Sequence, residues 1–510
     1  MSMWNELHDL KDVLSSEEYI KEKKKRAIGF FLGPIIFILL LFIAPPSGLS
    51  LPAWRCLALT LWAIVWWVCE PFAVPTTSVL VFFLLPVLGI LPPEKVYSNL
   101  GHTVIFMIMG AFIIVEVLKS SGLGKRIALW AATRSWVNST WRLAIAVSLV
   151  SMLLSSIMPN IPVAILMIGI VSSMLENLEA PFRGKITTLF YFSVAFSATI
   201  GGIMTPIGAT GPNFALIGIV NTVLGVSIPF SNWVVVCTPV ALLMLLAMIV
   251  IFTIFYKEND KEADINKVRA SIIEEYESLG RMKRREWYAF LGIVLAVVLW
   301  VLPGISIALF GSQHPTTLLL NQYLSMEKVA LFVAMLLLTV PLNWKERKFA
   351  LSWKEASQSV DFGLLLFIAL AFALPAAFTE TGLLGYITGI LEGLLGGLPT
   401  IIVVFILVTV AGILSQFGLQ MPVIAISVPV TASLINIIGG NPVAASLAVA
   451  MVAVGGTYFM PIASPTNMIP FATGRVSMAD YLKGGGIFMI ITILLLSFVM
   501  YPLGTFFLSF

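Results

Sequence analysis

Between Ser155 and Ile165 an otherwise apolar stretch reads SSIMPNIPVAI, with two hydroxyls, an amide and two prolines. Proline has no N–H and fixes φ, so a membrane helix does not run undisturbed through such a segment. Backbone groups freed at membrane depth are tolerated only inside protein or along a cavity. The pattern returns 260 residues later: Ser415 stands for Ser155, Gln420 for Asn160, and Pro422-Val423 for Pro162-Val163. At the same offset Gly122-Leu123 and Ile127 match Gly382-Leu383 and Ile387. Interrupted hydrophobic segments at matching places in two halves are the signature of a secondary transporter.

Only 11% of the 510 residues are charged and 59% are hydrophobic, against about 25% charged in soluble domains. The fold class is therefore an all-α polytopic membrane protein embedded in a lipid bilayer. Cys56, Cys69 and Cys237 show no metal spacing and read as packing residues. A polar N-terminal segment, residues 1–26, ends in KEKKKR. The apolar run Ala27–Ala44 follows without a cleavage site and reads as an uncleaved first span, N-terminus in the cytoplasm. Trp4, Leu7, Leu10 and Leu14 fall on one face of a possible surface helix, and a loosely attached tail fits equally well.

Further spans are expected at Trp54–Val68, Thr77–Leu91, Val104–Val117, Thr187–Val220, Trp233–Tyr256, Trp287–Leu302, Val329–Leu342, Phe362–Phe378, Val443–Phe471 and Ile487–Leu508. The Pro-broken regions Leu143–Met174 and Pro399–Ile437 read as re-entrant hairpins, which gives eleven spans and two hairpins. On this layout only Arg55, Lys95 and Lys328 of the 30 Lys and Arg residues face outside. The basic loops Lys119–Arg142, Lys257–Arg285 and Lys345–Lys354 are then all cytoplasmic, in keeping with the positive-inside rule. Gly122-Leu123 is followed by the basic GKRI and Gly382-Leu383 by the uncharged LGYI, so equivalent elements emerge on opposite sides. The halves are inverted repeats, and the C-terminus is expected outside the inner or plasma membrane. Lys257–Arg285 reads as a solvated loop with a short helix.

A second pair of breaks lies in GGIMTPIGATGPN (Gly201–Asn213) and GGTYFMPIASPTN (Gly455–Asn467). Glycine and proline unwind a helix there, freeing carbonyls for a cation and helix N-termini for an anion. Neither Asn160 nor Gln420 has a Lys or Arg within ten residues on its own segment. Glu70, Glu116 and Glu380 lie near span ends and read as surface groups or cap partners. Three histidines (His8, His102, His314) exclude H-E-x-x-H, and Gly122–Lys125 is not a phosphate-binding loop, so the chain is not read as an enzyme. No cofactor and no nucleic-acid partner is expected.

These residues resemble the divalent-anion/sodium symporters, which carry dicarboxylates, citrate or sulfate. The resemblance runs through WWVCEPFAVPTTSVLVFFLLPVLGILP (Trp66–Pro92), SGLGKRIAL (Ser121–Leu129), TETGLLGYI (Thr379–Ile387), TPIGATGPN (Thr205–Asn213) and MPIASPTN (Met460–Asn467). It implies an elevator mechanism in a homodimer, with scaffold parts at residues 27–120 and 286–380. Arm helices are implied within residues 121–142 and 381–398, and a transport domain at 143–256 and 399–510, divided by the cytoplasmic loop 257–285. It further implies sodium sites at Ser155, Asn160 and the Gly208 carbonyl, and at Ser415, Gln420 and the Ala463 carbonyl. Substrate contacts carry over to Asn160, Ile161, Thr210, Gln420, Met421, Ser464 and Thr466.

The chain departs from the family where tips usually read Ser-Asn-Thr: here they read Pro159-Asn160-Ile161 and Leu419-Gln420-Met421. Four side-chain hydroxyls are missing, which predicts weak transport of succinate and citrate and a less polar anion instead. The expected function is a sodium-coupled secondary transporter of a small, carboxylate-class anion. The alternatives are a sodium-independent anion exchanger, a sodium/proton antiporter or metalloid-oxyanion efflux protein with similar repeats, and a receptor on a transporter fold.

Overall fold

The computed structural model describes residues 16–177, 181–257 and 265–508. The expected surface helix at Trp4–Leu14 lies outside them. Helix α1 (Ser16–Phe42) begins before the basic run and continues through it into the first apolar segment. Ser50 caps α2 (Leu51–Cys69) by accepting from the Ala53 N–H, and α2 stops at Glu70, which adopts a left-handed φ of 50°. A short α3 (Val74–Val87) follows, then α4 (Thr103–Ser121).

Gly122 turns the chain with φ 84° and ψ 3° into α5 (Leu123–Ala132). Gly382 does the same with φ 82° and ψ 4° between α14 (Phe362–Thr381) and α15 (Leu383–Leu395). An L side chain is strained at such angles, so the matched glycines are demanded by the turn.

Neither proline-broken region is a continuous helix. In the first, α6 (Thr140–Ser155) returns as α7 (Asn160–Asn177); in the second, α16 (Thr400–Ser415) returns as α17 (Gln420–Ile437). The second kind of break separates α8 (Lys185–Met204) from α9 (Thr210–Leu224), which α10 (Phe230–Phe255) follows. Its counterpart separates α18 (Pro442–Gly455) from α19 (Pro465–Ala472). α8 and α18 are apolar on every side and buried along nearly their whole length, as such helices must be. Between them and α20 (Met478–Phe507) stack Phe192, Phe196, Tyr458, Tyr481 and Phe488, with Tyr458 and Phe488 centred 4.5 Å apart. By contrast α1 and α12 (Arg284–Phe310) keep wide apolar faces exposed, which suits lipid.

Nine helices among the described residues are long and apolar enough to cross a membrane, and up to eleven if each bent pair counts as one. One bent pair is α15 and α16, turned by 119°. The expected span Val329–Leu342 is shifted: α13 runs Met326–Thr339, starting and ending earlier, and Leu342 belongs to β1 (Pro341–Asn343), which pairs with β2 (Lys348–Phe349).

The loop expected to be solvated is docked. Its helix α11 (Ile265–Ser278) is tied to α5 by a Lys125–Glu275 ion pair of 2.7 Å. Next to it, the Arg126 guanidinium bonds Glu286 at 2.7 and 3.2 Å and the Gly280 carbonyl at 2.8 Å. Lys125 and Arg126 of the GKRI sequence thus tie the segment 265–286 to α5.

Candidate functional site

At the first hairpin tip, the Ser155 hydroxyl donates to Asn160 Oδ1 at 2.7 Å. Gly202 of α8 lies against that amide: a Cβ there would sit 2.4 Å from Asn160 Oδ1. Gly208 packs on the Ser155 carbonyl as closely, with 2.5 Å to a hypothetical Cβ. The Asn213 amide donates to the Gly202 and Thr205 carbonyls at 2.8 and 3.0 Å, and Thr205 Oγ1 donates to the Ser156 carbonyl. Ser155, Asn160 and Gly208 are thus brought together. The carbonyls released by the break in α8/α9 are collected by Asn213.

The second tip is built differently. Gln420 Nε2 donates to the Ala463 carbonyl at 3.2 Å and to Thr457 Oγ1 at 3.5 Å. Ser415 instead turns its hydroxyl to the Gly412 carbonyl of its own helix, 2.8 Å away. The neighbouring Gln416 bridges the hairpin to the break, donating to Gly412 O and Gly456 O at 2.8 and 3.0 Å and accepting from Phe459 N–H at 3.1 Å. Asn467 repeats the part of Asn213, donating to the Thr457 carbonyl at 2.6 Å. The Oδ1 atoms of Asn213 and Asn467 are both buried without a hydrogen-bond partner among the described residues.

The remaining expected contacts are internal to the breaks. Thr210 donates to the Ile207 carbonyl at 2.6 Å. Ser464 and Thr466 share a 2.6 Å hydrogen bond, and Thr466 reaches Thr199 of α8 at 2.9 Å, so buried hydroxyls tie the second break to α8.

A cavity of about 560 Å³ joins the tips. Ile161 and Ile165 line it from the first hairpin, and Leu419 to Pro422 from the second. Ala463, Pro465 and Met468 come from the second break, and the opposite wall is Trp67 and Glu70 of the α2 end, Pro75 of α3 and Asp361 to Phe367 of α14. Of the residues expected to touch substrate, Ile161, Gln420 and Met421 line this cavity.

Its electrostatics come from backbone and two carboxylates. The N-termini of α17 and α19 both abut the cavity and carry partial positive charge, which favours an anion. Glu70 also lies 3.7 Å from Arg26, and Asp361 Oδ1 caps α14 by accepting from Leu364 N–H at 2.9 Å. Glu70 is therefore both a cap residue, as its sequence suggested, and part of the cavity wall. Glu116 and Glu380 fit the surface reading and pair with Lys119 and Lys95. No group of three His, Cys, Asp or Glu residues suited to a transition metal occurs among the described residues. The oxygens on offer beside Asn160 are carbonyl, hydroxyl and amide, the hard donors that an alkali cation accepts.

Sequence reasoning missed Gln416, Thr457, Trp67, Asp361 and Phe367. Gln416 had a signal, being an amide in an apolar segment one residue from Ser415. Thr457 also had one, a hydroxyl within the second break, whereas Trp67, Asp361 and Phe367 belong to elements far away in the chain and carried none.

Known proteins place this architecture. The sodium-dependent dicarboxylate transporter SdcS of Staphylococcus saprophyticus is 27% identical over 484 residues, covering 93% of this chain and 90% of the relative. Its namesake from Staphylococcus aureus is 26% identical over 498 residues, 95% of this chain and 93% of the relative. Among solved structures, the Alcanivorax borkumensis YdaH transporter superposes with a TM-score of 0.53 at 14% identity, covering 80% of this chain and 87% of that one. Neisseria gonorrhoeae MtrF does so with 0.54 at 12% identity, covering 80% and 83%; both likenesses concern the fold alone. Residues 24–507 match the family described as the sodium:sulfate symporter transmembrane region. The chain belongs to the sodium:sulfate symporter family, and it is a secondary active anion transporter rather than an enzyme.

Proposed function

We propose that this protein couples an inward sodium gradient to the movement of a small carboxylate-class anion, bound between the two hairpin tips. The observation that carries this reading is the shared cavity: both tips and one break face one wall, while α2, α3 and α14 form the other. Such a division supports an elevator, in which residues 143–256 and 399–510 move against a scaffold of residues 27–120 and 286–380. The arm helices, within residues 121–142 and 381–398, would join the two and carry their relative motion. The dimer contact belongs to the scaffold in this reading. The N-terminus lies in the cytoplasm and the C-terminus outside.

We assign one sodium ion to Ser155, Asn160 and the Gly208 carbonyl: Ser155 Oγ and Asn160 Oδ1 lie 2.7 Å apart, Gly208 packs on Ser155, and no Lys or Arg stands on the same segment. The second site, at Ser415, Gln420 and the Ala463 carbonyl, requires the Gln420 amide to present Oε1 rather than Nε2 to the break. Thr210, Ser464 and Thr466 would act by holding the breaks open. Binding of the cation then compensates the anion's charge in a site built from neutral groups.

The test is uptake into proteoliposomes with and without an inward sodium gradient. Uptake that follows the sodium gradient is expected. Uptake that instead requires an internal counter-anion would make the protein an exchanger, and uptake that follows only a proton gradient would replace sodium as the coupling ion.

A further inference from the structure

Resting on the reading that the cavity is the transport site, we infer that the substrate is a monocarboxylate with an apolar body, and that Glu70 and Asp361 discriminate against a second carboxylate. The first argument is the number of donors. Pro422 has no N–H and Val423 N–H is spent on the Leu419 carbonyl at 2.9 Å, which leaves Gln420 and Met421 as the N–H groups of the first turn of α17. The Gln420 side-chain N–H groups point away, to Ala463 O and Thr457 Oγ1. Two adjacent N–H groups at a helix N-terminus suit one carboxylate.

The second argument is the wall. Ile161, Ile165, Met421 and Met468 face Trp67 and Phe367, whose rings are centred 5.5 Å apart. These side chains reward an aliphatic or aromatic body by burial. Apart from the indole N–H of Trp67, which is buried without a hydrogen-bond partner among the described residues, they offer a second carboxylate no donor, and they offer it no countercharge.

The third argument is charge. The cavity lining holds two carboxylates and no Lys or Arg. Arg26, the base beside Glu70, stands outside the lining and is shared with Glu22 at 2.9 Å. A cube of the cavity's 560 Å³ has an edge of about 8 Å, comparable with the Debye length at physiological salt of about 8 Å. A dianion filling the cavity therefore brings its second charge within range of Glu70 or Asp361 with little screening. A monoanion with its carboxylate at α17 does not.

The experiment measures sodium-22 uptake into proteoliposomes of the full chain, stimulated by external phenylacetate, hexanoate, succinate, citrate or sulfate, with protein-free liposomes as the control. Following sodium avoids the passive leak of weak acids. Phenylacetate or hexanoate is expected to half-stimulate at a concentration at least tenfold below succinate. In Glu70→Gln/Asp361→Asn that ratio should shrink about tenfold; asparagine keeps the cap of α14 and glutamine the shape of Glu70. Stimulation by succinate, citrate or sulfate ahead of the monocarboxylates overturns the substrate assignment alone, as does an unchanged ratio in the double variant. Sodium uptake stimulated by no anion overturns the symport reading and this assignment with it.

Discussion

Gly202→Ala perturbs the first tip without removing any polar group. The added methyl would lie 2.4 Å from Asn160 Oδ1, 2.5 Å from Nδ2 and 2.8 Å from Cγ, so the amide has to move. It cannot move freely, because Oδ1 accepts from Ser155 at 2.7 Å. Gly202 is equally pinned, since its carbonyl accepts from Ala209 N–H at 3.0 Å and from Asn213 at 2.8 Å. Overpacking of this kind costs about 1–3 kcal/mol, and if the strain is relieved by displacing Asn160 the cost falls on the bound state. That corresponds to a loss of about 5- to 150-fold in apparent sodium affinity. The assay is the sodium dependence of anion uptake in proteoliposomes. The control is Gly169→Ala in the same hairpin, where a Cβ meets nothing within 4 Å and helix propensity favours alanine. Wild-type sodium affinity in Gly202→Ala would refute the close packing of Asn160 on α8 as a determinant of the cation site.

Asn160→Ala leaves Ser155 without its acceptor, and the cost of an unsatisfied buried group, about 1–3 kcal/mol, should appear as a higher sodium requirement. Gln420→Ala frees the Ala463 carbonyl and should lower uptake without disturbing Ser415, which bonds its own helix; equal and wild-type rates in both would exclude the tips. Arg126→Met strands Glu286, whose side chain is 4% exposed, and breaking such a pair costs about 3–5 kcal/mol. A lower melting temperature and faster proteolysis of the 257–283 loop are expected, and Arg126→Met/Glu286→Met should recover most of the loss. Outside the membrane, the Ser352 N–H, with Arg285 beside it, holds the Glu355 carboxyl down to about 2. A depressed carboxylate contributes stability above its ordinary range and loses it as pH falls through its folded value, so hydrogen-exchange protection factors over Trp353–Ser359, corrected for the intrinsic rate, should fall from about pH 5 towards about pH 2, and Glu355→Gln should remove that dependence.

The breaks were legible in the sequence because proline and paired glycines are local facts: they deny a helix its hydrogen bonds wherever the chain goes. The repeat was legible because Gly122 and Gly382 must both take positive φ, and few residues can replace glycine there. The cavity's far wall was not. Trp67, Asp361 and Phe367 lie on helices that meet the tips only through tertiary packing, and no periodicity announces which face will do so. The equivalence of Ser155 and Ser415 held in the alignment and failed in the contacts, because glutamine is one methylene longer than asparagine and reaches past Ser415 to the break. The docking of α11 was hidden for a similar reason, since a mixed-charge loop looks the same in sequence whether water or Arg126 satisfies it.

The central claim is that one cavity serves both sides of the membrane by moving against α2 and α14. It is tested most directly by replacing Cys56, Cys69 and Cys237 and introducing Met421→Cys or Trp67→Cys singly, then labelling with an impermeant thiol reagent from each side. Met421→Cys on the moving hairpin should react from the cytoplasm and, under other sodium conditions, from outside, while Trp67→Cys on the fixed wall should react only from the cytoplasm. Reaction of Met421→Cys from one side alone under every sodium condition, in a protein that still transports, would contradict the account.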